Sequence, residues 1–383
     1  MLKACIITPN YPRDGFIEKG AFVESLAQAW KSKGTDVTVI NPVSLQNKLR
    51  FGWCKSFEVY NGIDVYRPSY LSFSNFKFGG FSSQSLSAQS FVAAAYKVGK
   101  KIEKPCFYYG KFLMNGGYAA MELGNKYNIH SFVDIGESKL WNVLNNTRRK
   151  QASYIINNLN GLFCVSERLN KEIIKLGANK SKVYLTPNTV DLSHFKPLDR
   201  KDCRKRLNLP QDKNIVIFVG HFIERKGPLR VLDALIKTRV DSLGVFIGKG
   251  NQQPHGDRVL FTGSVKNSEL PLWLNAADLF VLPTLAEGNC NSINEALACG
   301  LPVITSNISD VRNQVNNNIN GLLVNPNSID EIRIAIETIL TNNILREKMI
   351  FNNIQEGKKR FFKDRSSDIL KIITNMLEHH VDL

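Results

Sequence analysis

Apolar residues recur along this chain in two rhythms, and together they predict alternating strands and helices. Ala4-Cys5-Ile6-Ile7 is a short apolar run, followed by Thr8 to Gly15, a stretch rich in turn formers. Phe22, Val23, Leu26, Ala27 and Trp30 then fall at helical spacing up to Gly34, and Asp36-Val37-Thr38-Val39-Ile40 is a second apolar run. Strand, helix and strand at this spacing make a βαβ unit, so the fold class is α/β with a parallel sheet covered by helices. Runs at 131–135, 161–165 and 182–185 extend this first series. A second series follows at 214–220, 243–248, 259–261, 279–282 and 302–305. The polar, charge-dense stretch from Asp191 to Lys213 between them reads as the inter-domain connection. Ile369, Ile372, Ile373, Met376 and Leu377 predict a terminal helix within 361–378.

The 383 residues suit two domains at about 100–200 residues each. With 43% apolar, 10% aromatic and 22% charged residues, the composition is globular rather than disordered or fibrous. No apolar run approaches the roughly 18 residues of a spanning helix. The apolar stretch after Met1 is too short for a signal peptide and leads directly into a strand pattern, so the expected location is cytoplasmic. Seven cysteines, with no Cys-x-x-Cys pair, argue against a disulfide framework or a thiolate zinc site.

Charge changes the picture more. The formal net charge is +16, and residues 1–195 carry 25 basic against 13 acidic side chains, whereas residues 196–383 carry 25 against 21. A basic N-terminal half suits an anionic partner such as nucleic acid, lipid headgroups or a phosphorylated substrate, or serves solubility alone.

Several chemistries find no support. No Gly-x-Gly-x-x-Gly follows the first strand. Gly244 to Gly250 has three residues rather than four between its first two glycines and no Ser or Thr after Lys249, so it is not a phosphate loop of the nucleotide-hydrolase kind. The six histidines include no His-x-x-x-His pair, and no Asp-x-Asp occurs to carry a divalent ion with a diphosphate. No metal ligands are assigned, and an anion site built without metal is what remains.

Residues 278–305 are the informative segment. A buried strand leads into a loop containing Glu287, Gly288, Asn289 and Cys290, and then into a helix opening near Asn291 or Ser292, both good N-caps, and stopped by Gly300. Glu287 and Glu295 bracket that loop and helix start, where free backbone N–H groups favour an anion. The same letters also read as a capping box at Glu295 with a solvated loop carboxylate at Glu287. A second element, Phe218 to Leu229, places Gly220 and His221 after a buried strand and Arg225 and Lys226 before the next helix. Two cations there can neutralise a diphosphate, or form an ordinary charged loop.

Taken in order, these segments resemble the retaining glycosyltransferases of family 4, the glycosyl transferases group 1. Glu287-x7-Glu295 with Gly288, Ala296 and Cys299-Gly300-Leu301-Pro302-Val303 is similar to that family's E-x7-E signature, and Gly220 to Gly227 to its donor-diphosphate loop. Val165-Ser166-Glu167, Thr186 to Asp191, Gly248-Lys249-Gly250 and Phe261-Thr262-Gly263 fit further segments.

The resemblance implies a GT-B architecture of two Rossmann-like doubly wound domains facing a cleft. An acceptor-binding domain would span 1–180 with the terminal segment 361–383, and a donor-binding domain 181–360. It implies a metal-independent enzyme with no cofactor, moving a hexosyl unit from a nucleotide-diphosphate sugar, UDP-sugar favoured, to a glycan or lipid-linked glycan of a cell-surface polysaccharide. Glu295 would hold the ribose hydroxyls and Glu287 the donor sugar. The backbone of Gly288 to Ser292, including Asn289, Cys290 and Asn291, would hold sugar and diphosphate; Lys226, with His221 and Arg225, would neutralise the leaving group. His221 stands where the family has arginine, and Thr189 where it has glycine. No histidine occupies Val133 to Ser138, which puts Glu137 or Ser138 in the place of the residue facing the sugar.

On the acceptor side, the loop Pro9 to Gly20 would border the cleft, with Gly20 allowing close backbone approach. The aromatic run Tyr70, Phe73, Phe76, Phe78 and Phe81 and the lysines 97, 100, 101 and 104 suit either core packing or an anionic membrane surface. A sugar-nucleotide epimerase of the same fold and a non-catalytic polyanion binder are the competing readings. The paired glutamates argue against the second, and no nucleic-acid partner is expected.

Overall fold

The computed structural model describes residues 1–16, 19–73, 77–78, 81–137, 140, 146–360 and 364–378. The chain divides into two compact units, Met1–Pro187 with Arg365–Leu383, and Asn188–Asp364.

The first unit is built on an eight-stranded sheet of β1 (Lys3–Ile7), β2 (Asp36–Ile40), β3 (Phe57–Tyr60), β4 (Ile63–Tyr66), β5 (Phe107–Lys111), β6 (His130–Ile135), β7 (Gly161–Cys164) and β8 (Val183–Leu185). The spatial order is β8-β7-β6-β5-β1-β2-β4-β3, parallel throughout except for the β3–β4 hairpin. β8 pairs in register with β7, which carries the first unit to Pro187 rather than 180. The terminal helix Arg365–Glu378 belongs here too: Ile369 and Ile373 pack into the core around Trp30, whose Nε1 donates to Ser366 O at 3.0 Å.

The second unit carries β9 (Asn214–Val219), β10 (Ser242–Ile247), β11 (Val259–Gly263), β12 (Leu279–Leu282), β13 (Val303–Ser306) and β14 (Gly321–Val324), all parallel in the order β11-β10-β9-β12-β13-β14. β9, β10 and β12 are near-continuous apolar runs because both faces of such a sheet are covered by helices.

The stretch from Asp191 to Lys213 is not a linker. It folds into the second unit through the helix Arg200–Arg206, where buried Arg204 pairs with Asp278 at 2.6 Å and Asp278 accepts from Ile215 N at 2.7 Å. Arg200 and Arg204 are drawn into that network, where the sequence alone presents the whole stretch as a solvated connection.

Each sheet reverses direction once, between β5 and β1 in the first unit and between β9 and β12 in the second. In open α/β sheets the crevice at the carboxyl ends of such a strand pair is where ligands bind. Both sets of candidate residues fall on loops leaving strands at or next to those two points.

Candidate active site

In the second unit, β9 ends into Gly220 to Gly227 and β12 into Pro283 to Cys290. These loops are sewn together: Leu285 N donates to Arg225 O at 2.8 Å, and Thr284 Oγ1 lies 3.2 Å from the same carbonyl oxygen. Gly248, after β10, sits so close that a Cβ there would meet Gly220 O at 1.9 Å, so only glycine allows the approach.

Lys226 and Glu287 meet in this seam. Lys226 Nζ lies 2.5 Å from Glu287 Oε1, Thr284 Oγ1 donates to the same oxygen at 2.8 Å, and Arg225 Nη1 stands 3.3 Å away. Arg225 also donates to Ala286 O. Glu287 is therefore a buried, paired carboxylate and not a solvated one. Burial alone would push the Lys226 ammonium down, but Cys290 and Glu287 beside it outweigh that and the net direction is up. Two cations against one carboxylate leave an excess positive charge, suited to an anion.

The helix Asn291–Ala298 begins at this point. Its N-cap is Cys290 rather than Asn291 or Ser292, and it makes no side-chain cap bond, because a thiol offers no good oxygen acceptor. The first-turn N–H groups have no partner within the helix. Cys290 Sγ lies 3.9 Å from Lys226 Nζ and 3.4 Å from Ser292 Oγ. Asn289 and Gly288 complete the loop; Asn188 Nδ2 donates to Asn289 O at 3.2 Å and to Asn291 Oδ1 at 2.8 Å.

Gln314 was not singled out by the sequence, yet it brackets the cap: it accepts from Cys290 N and donates to Cys290 O, both at 2.9 Å, and donates to Asn294 Oδ1 at 2.8 Å. Nothing local marks it, since its partners lie 24 and 20 residues away.

Glu295 begins the second turn, beyond the position from which a capping box closes, so that reading fails. Its carboxylate has no ion-pair or hydrogen-bond partner among the described residues, and burial pushes it up to about 7. His221 is exposed on the β9 loop.

In the first unit, Glu137 follows β6. Its Oε1 accepts from Leu113 N at 2.6 Å, while Oε2 is buried without a partner among the described residues. Burial pushes this carboxyl up to about 7 as well. Leu113 lies in the first turn of a π-helix, Phe112–Gly117, that opens on Phe112 at φ 66°, a left-handed conformation rare for a bulky side chain. Beside it is a closed cluster. Asp134 accepts from Lys111 Nζ at 2.6 Å, Tyr109 Oη at 3.0 Å and Arg365 Nη2 at 2.9 Å. Burial would raise the Asp134 carboxyl, but Arg365 and Lys111 overcome it and hold it at about 2.

Gly20, at φ 86°, opens the helix Ala21–Ser32, and a Cβ there would meet Asn10 O at 2.4 Å. It locks the loop Thr8 to Tyr11 against that helix. Ser138 lies outside the described residues. Tyr70 is half-buried with its ring 5.4 Å from Phe91, part of the packing around that core. Phe76 lies outside the described residues, as do the side chains of Phe78 and Phe81, while Phe73 is exposed. Lys100 and Lys104 cover the rings of Tyr96 and Tyr127, at 4.9 and 3.5 Å. Among the described residues, no group of three or more His, Cys, Asp or Glu could hold a metal ion, and no helix is long and apolar enough to cross a membrane.

Residues 199–356, almost the whole second unit, match the family model of glycosyl transferases group 1. The chain is 28% identical over 356 residues to TuaC of Bacillus subtilis (strain 168), described as a teichuronic acid biosynthesis glycosyltransferase, covering 88% of each chain. Among solved structures it is similar to sucrose-phosphate synthase of Thermosynechococcus elongatus, with a TM-score of 0.80 and 19% identity over 99% of this chain and 100% of that one. It is also similar to HepE of Anabaena in complex with UDP and glucose, with a TM-score of 0.74 and 16% identity over 98% and 100%.

Proposed function

We propose that this chain, a glycosyltransferase of the GT-B fold with a glycosyl transferases group 1 match over 199–356, transfers a hexosyl unit from a nucleotide-diphosphate sugar, UDP-sugar favoured, to a glycan or lipid-linked glycan. The transfer retains configuration as in family 4, and the product belongs to a cell-surface polysaccharide. The relative whose description assigns it to teichuronic acid biosynthesis supports the product class, and the neighbour holding UDP and glucose supports the donor.

One observation carries the reading: Lys226, Arg225, Glu287 and the uncapped start of the helix Asn291–Ala298 converge at the reversal point between β9 and β12. Glycosyl transfer passes through an oxocarbenium-like transition state while the diphosphate departs with growing negative charge. Fixed donors aimed at that charge lower the barrier. Lys226 and Arg225 neutralise the diphosphate with the helix N–H groups, in the role a divalent ion fills elsewhere, so no metal is needed. Glu287, pinned by Lys226 and Thr284, meets the sugar hydroxyls. Glu295, unpartnered in this site, accepts from the ribose hydroxyls.

Calorimetry with UDP, GDP, ADP and their common sugar conjugates, with chelator present, tests this. The expected result is micromolar binding of one nucleotide, lost in Glu295→Ala, while Glu287→Ala loses turnover more than affinity. No binding by a folded protein overturns the donor site, and binding that requires added metal overturns the metal-free mechanism. Release of a free epimerised sugar nucleotide without acceptor overturns the transferase chemistry.

A further inference from the structure

The charge of the first unit is not spread evenly over an inert surface. The helix Leu45–Phe51 buries the Lys48 side chain, whose ammonium donates to Ser69 Oγ at 2.8 Å, and turns Leu49 and Phe51 outward. Trp53 follows at once. Leu49 is 74% exposed, Trp53 71% and Phe51 47%, within five consecutive residues. Singly exposed apolar residues are ordinary, but a cluster of large ones marks an interaction surface.

Cations are interleaved with these rings. The Phe51 ring meets Phe16 edge-on at 5.5 Å, which joins the first loop to this helix. Arg13 lies over Phe16 at 4.8 Å and Arg50 over Phe51 at 5.1 Å, and Lys55 stands exposed two residues beyond Trp53. Acidic residues close in sequence are Asp14, Glu18 and Glu58, and Glu58 is held by Arg67. A guanidinium over an aromatic ring keeps its charge near water while the ring remains free to enter an apolar layer.

We infer that Leu49, Phe51 and Trp53, with Arg13, Arg50 and Lys55, form a docking surface for an anionic lipid bilayer. The rings and Leu49 enter the boundary between headgroups and acyl chains, and the three basic groups meet lipid phosphates. Charge complementarity selects this occupant: a chain whose excess positive charge lies in the half carrying this patch is matched by an anionic sheet. The inference deepens the reading of a lipid-linked acceptor, because such an acceptor is reached only at a bilayer surface, but it concerns residues outside the donor site.

The test is co-sedimentation of the full chain, without nucleotide, with vesicles of phosphatidylcholine alone and with vesicles containing phosphatidylglycerol. Binding is expected only to the anionic vesicles, falling as salt is raised. Leu49→Ser with Trp53→Ser should abolish it. Arg50→Glu with Lys55→Glu should weaken it by about fivefold or more for each basic side chain lost. Trp53 emission should shift to shorter wavelength on binding, and the shift should vanish in Trp53→Phe. Circular dichroism and the melting temperature confirm that each variant is folded. Unchanged vesicle binding in the folded variants overturns the inference. So does concentration-dependent self-association in the absence of lipid that the same substitutions remove, since a second copy would then be the occupant. Calorimetry with nucleotides reads the donor site separately, so failure of one proposal leaves the other standing.

Discussion

Two buried ionic clusters, one in each unit, use similar parts to opposite ends. Around Asp134 in the first unit, Lys111, Arg365 and Tyr109 saturate both carboxylate oxygens, and the carboxyl is held at about 2. Around Glu287 in the second, Lys226 and Thr284 meet Oε1 and Arg225 stands further off, while Glu295, on the helix that follows, has no ion-pair or hydrogen-bond partner among the described residues. The first is closed and ties the terminal helix to the sheet. The second has the same two cations to one carboxylate, but it lies at a helix start whose first-turn N–H groups have no partner within the helix. That setting, not the ion count, suits it to an anion.

The largest expected effect falls on the closed cluster. Asp134→Ala leaves Lys111 and Arg365 buried without their shared partner, so stability in urea should drop by about 3–5 kcal/mol. The Asp134 carboxyl lies below its unfolded value of about 3.9. Its contribution is thus present above that pH and lost as pH falls toward 2, and the gap between wild type and Asp134→Ala should narrow over that window in acid unfolding.

Lys226→Ala should behave differently. Thr284 and Arg225 still hold Glu287, so the stability loss should be smaller than for Asp134→Ala, while turnover falls by about 10²–10³. Equal losses of stability in the two variants, with turnover unchanged in Lys226→Ala, would erase the contrast.

The effect smallest at any single pH step is a pH dependence at Glu295, about tenfold per unit. Its carboxyl sits near 7 in the protein against about 4.3 in the unfolded chain, so folding takes up a proton between those values. Its favourable contribution is complete below the unfolded value and is lost as pH rises through 7, so Glu295→Gln should gain on wild type across that range in thermal melts. A ligand that needs the ionised form reverses the preference. Affinity for whichever nucleotide sugar calorimetry identifies should then rise about tenfold per pH unit up to 7 in wild type and stay flat in Glu295→Gln.

Much of this was legible in the letters. β1, β2, β9 and β12 were read from apolar runs because a two-sided parallel sheet demands them, and Gly300 was read as a helix stop and adopts φ 83°. β5 was not read, although it lies beside β1 at the centre of its sheet. Phe107-Tyr108-Tyr109-Gly110-Lys111 carries polar tips and a glycine, and Tyr109 and Lys111 are buried only because Asp134 waits 25 and 23 residues later.

What the sequence determined by itself is the alternation of elements and the clustering of cations and carboxylates near two loops, since periodicity and turn chemistry are local properties. Only the tertiary structure decided which charges are consumed and which are left over. It paired Glu287 with Lys226, freed Glu295 from a cap, and buried Arg204 on Asp278. Those outcomes depend on partners tens to hundreds of residues apart. Burial then fixes the cost of every group left unpaired, and no local pattern encodes that.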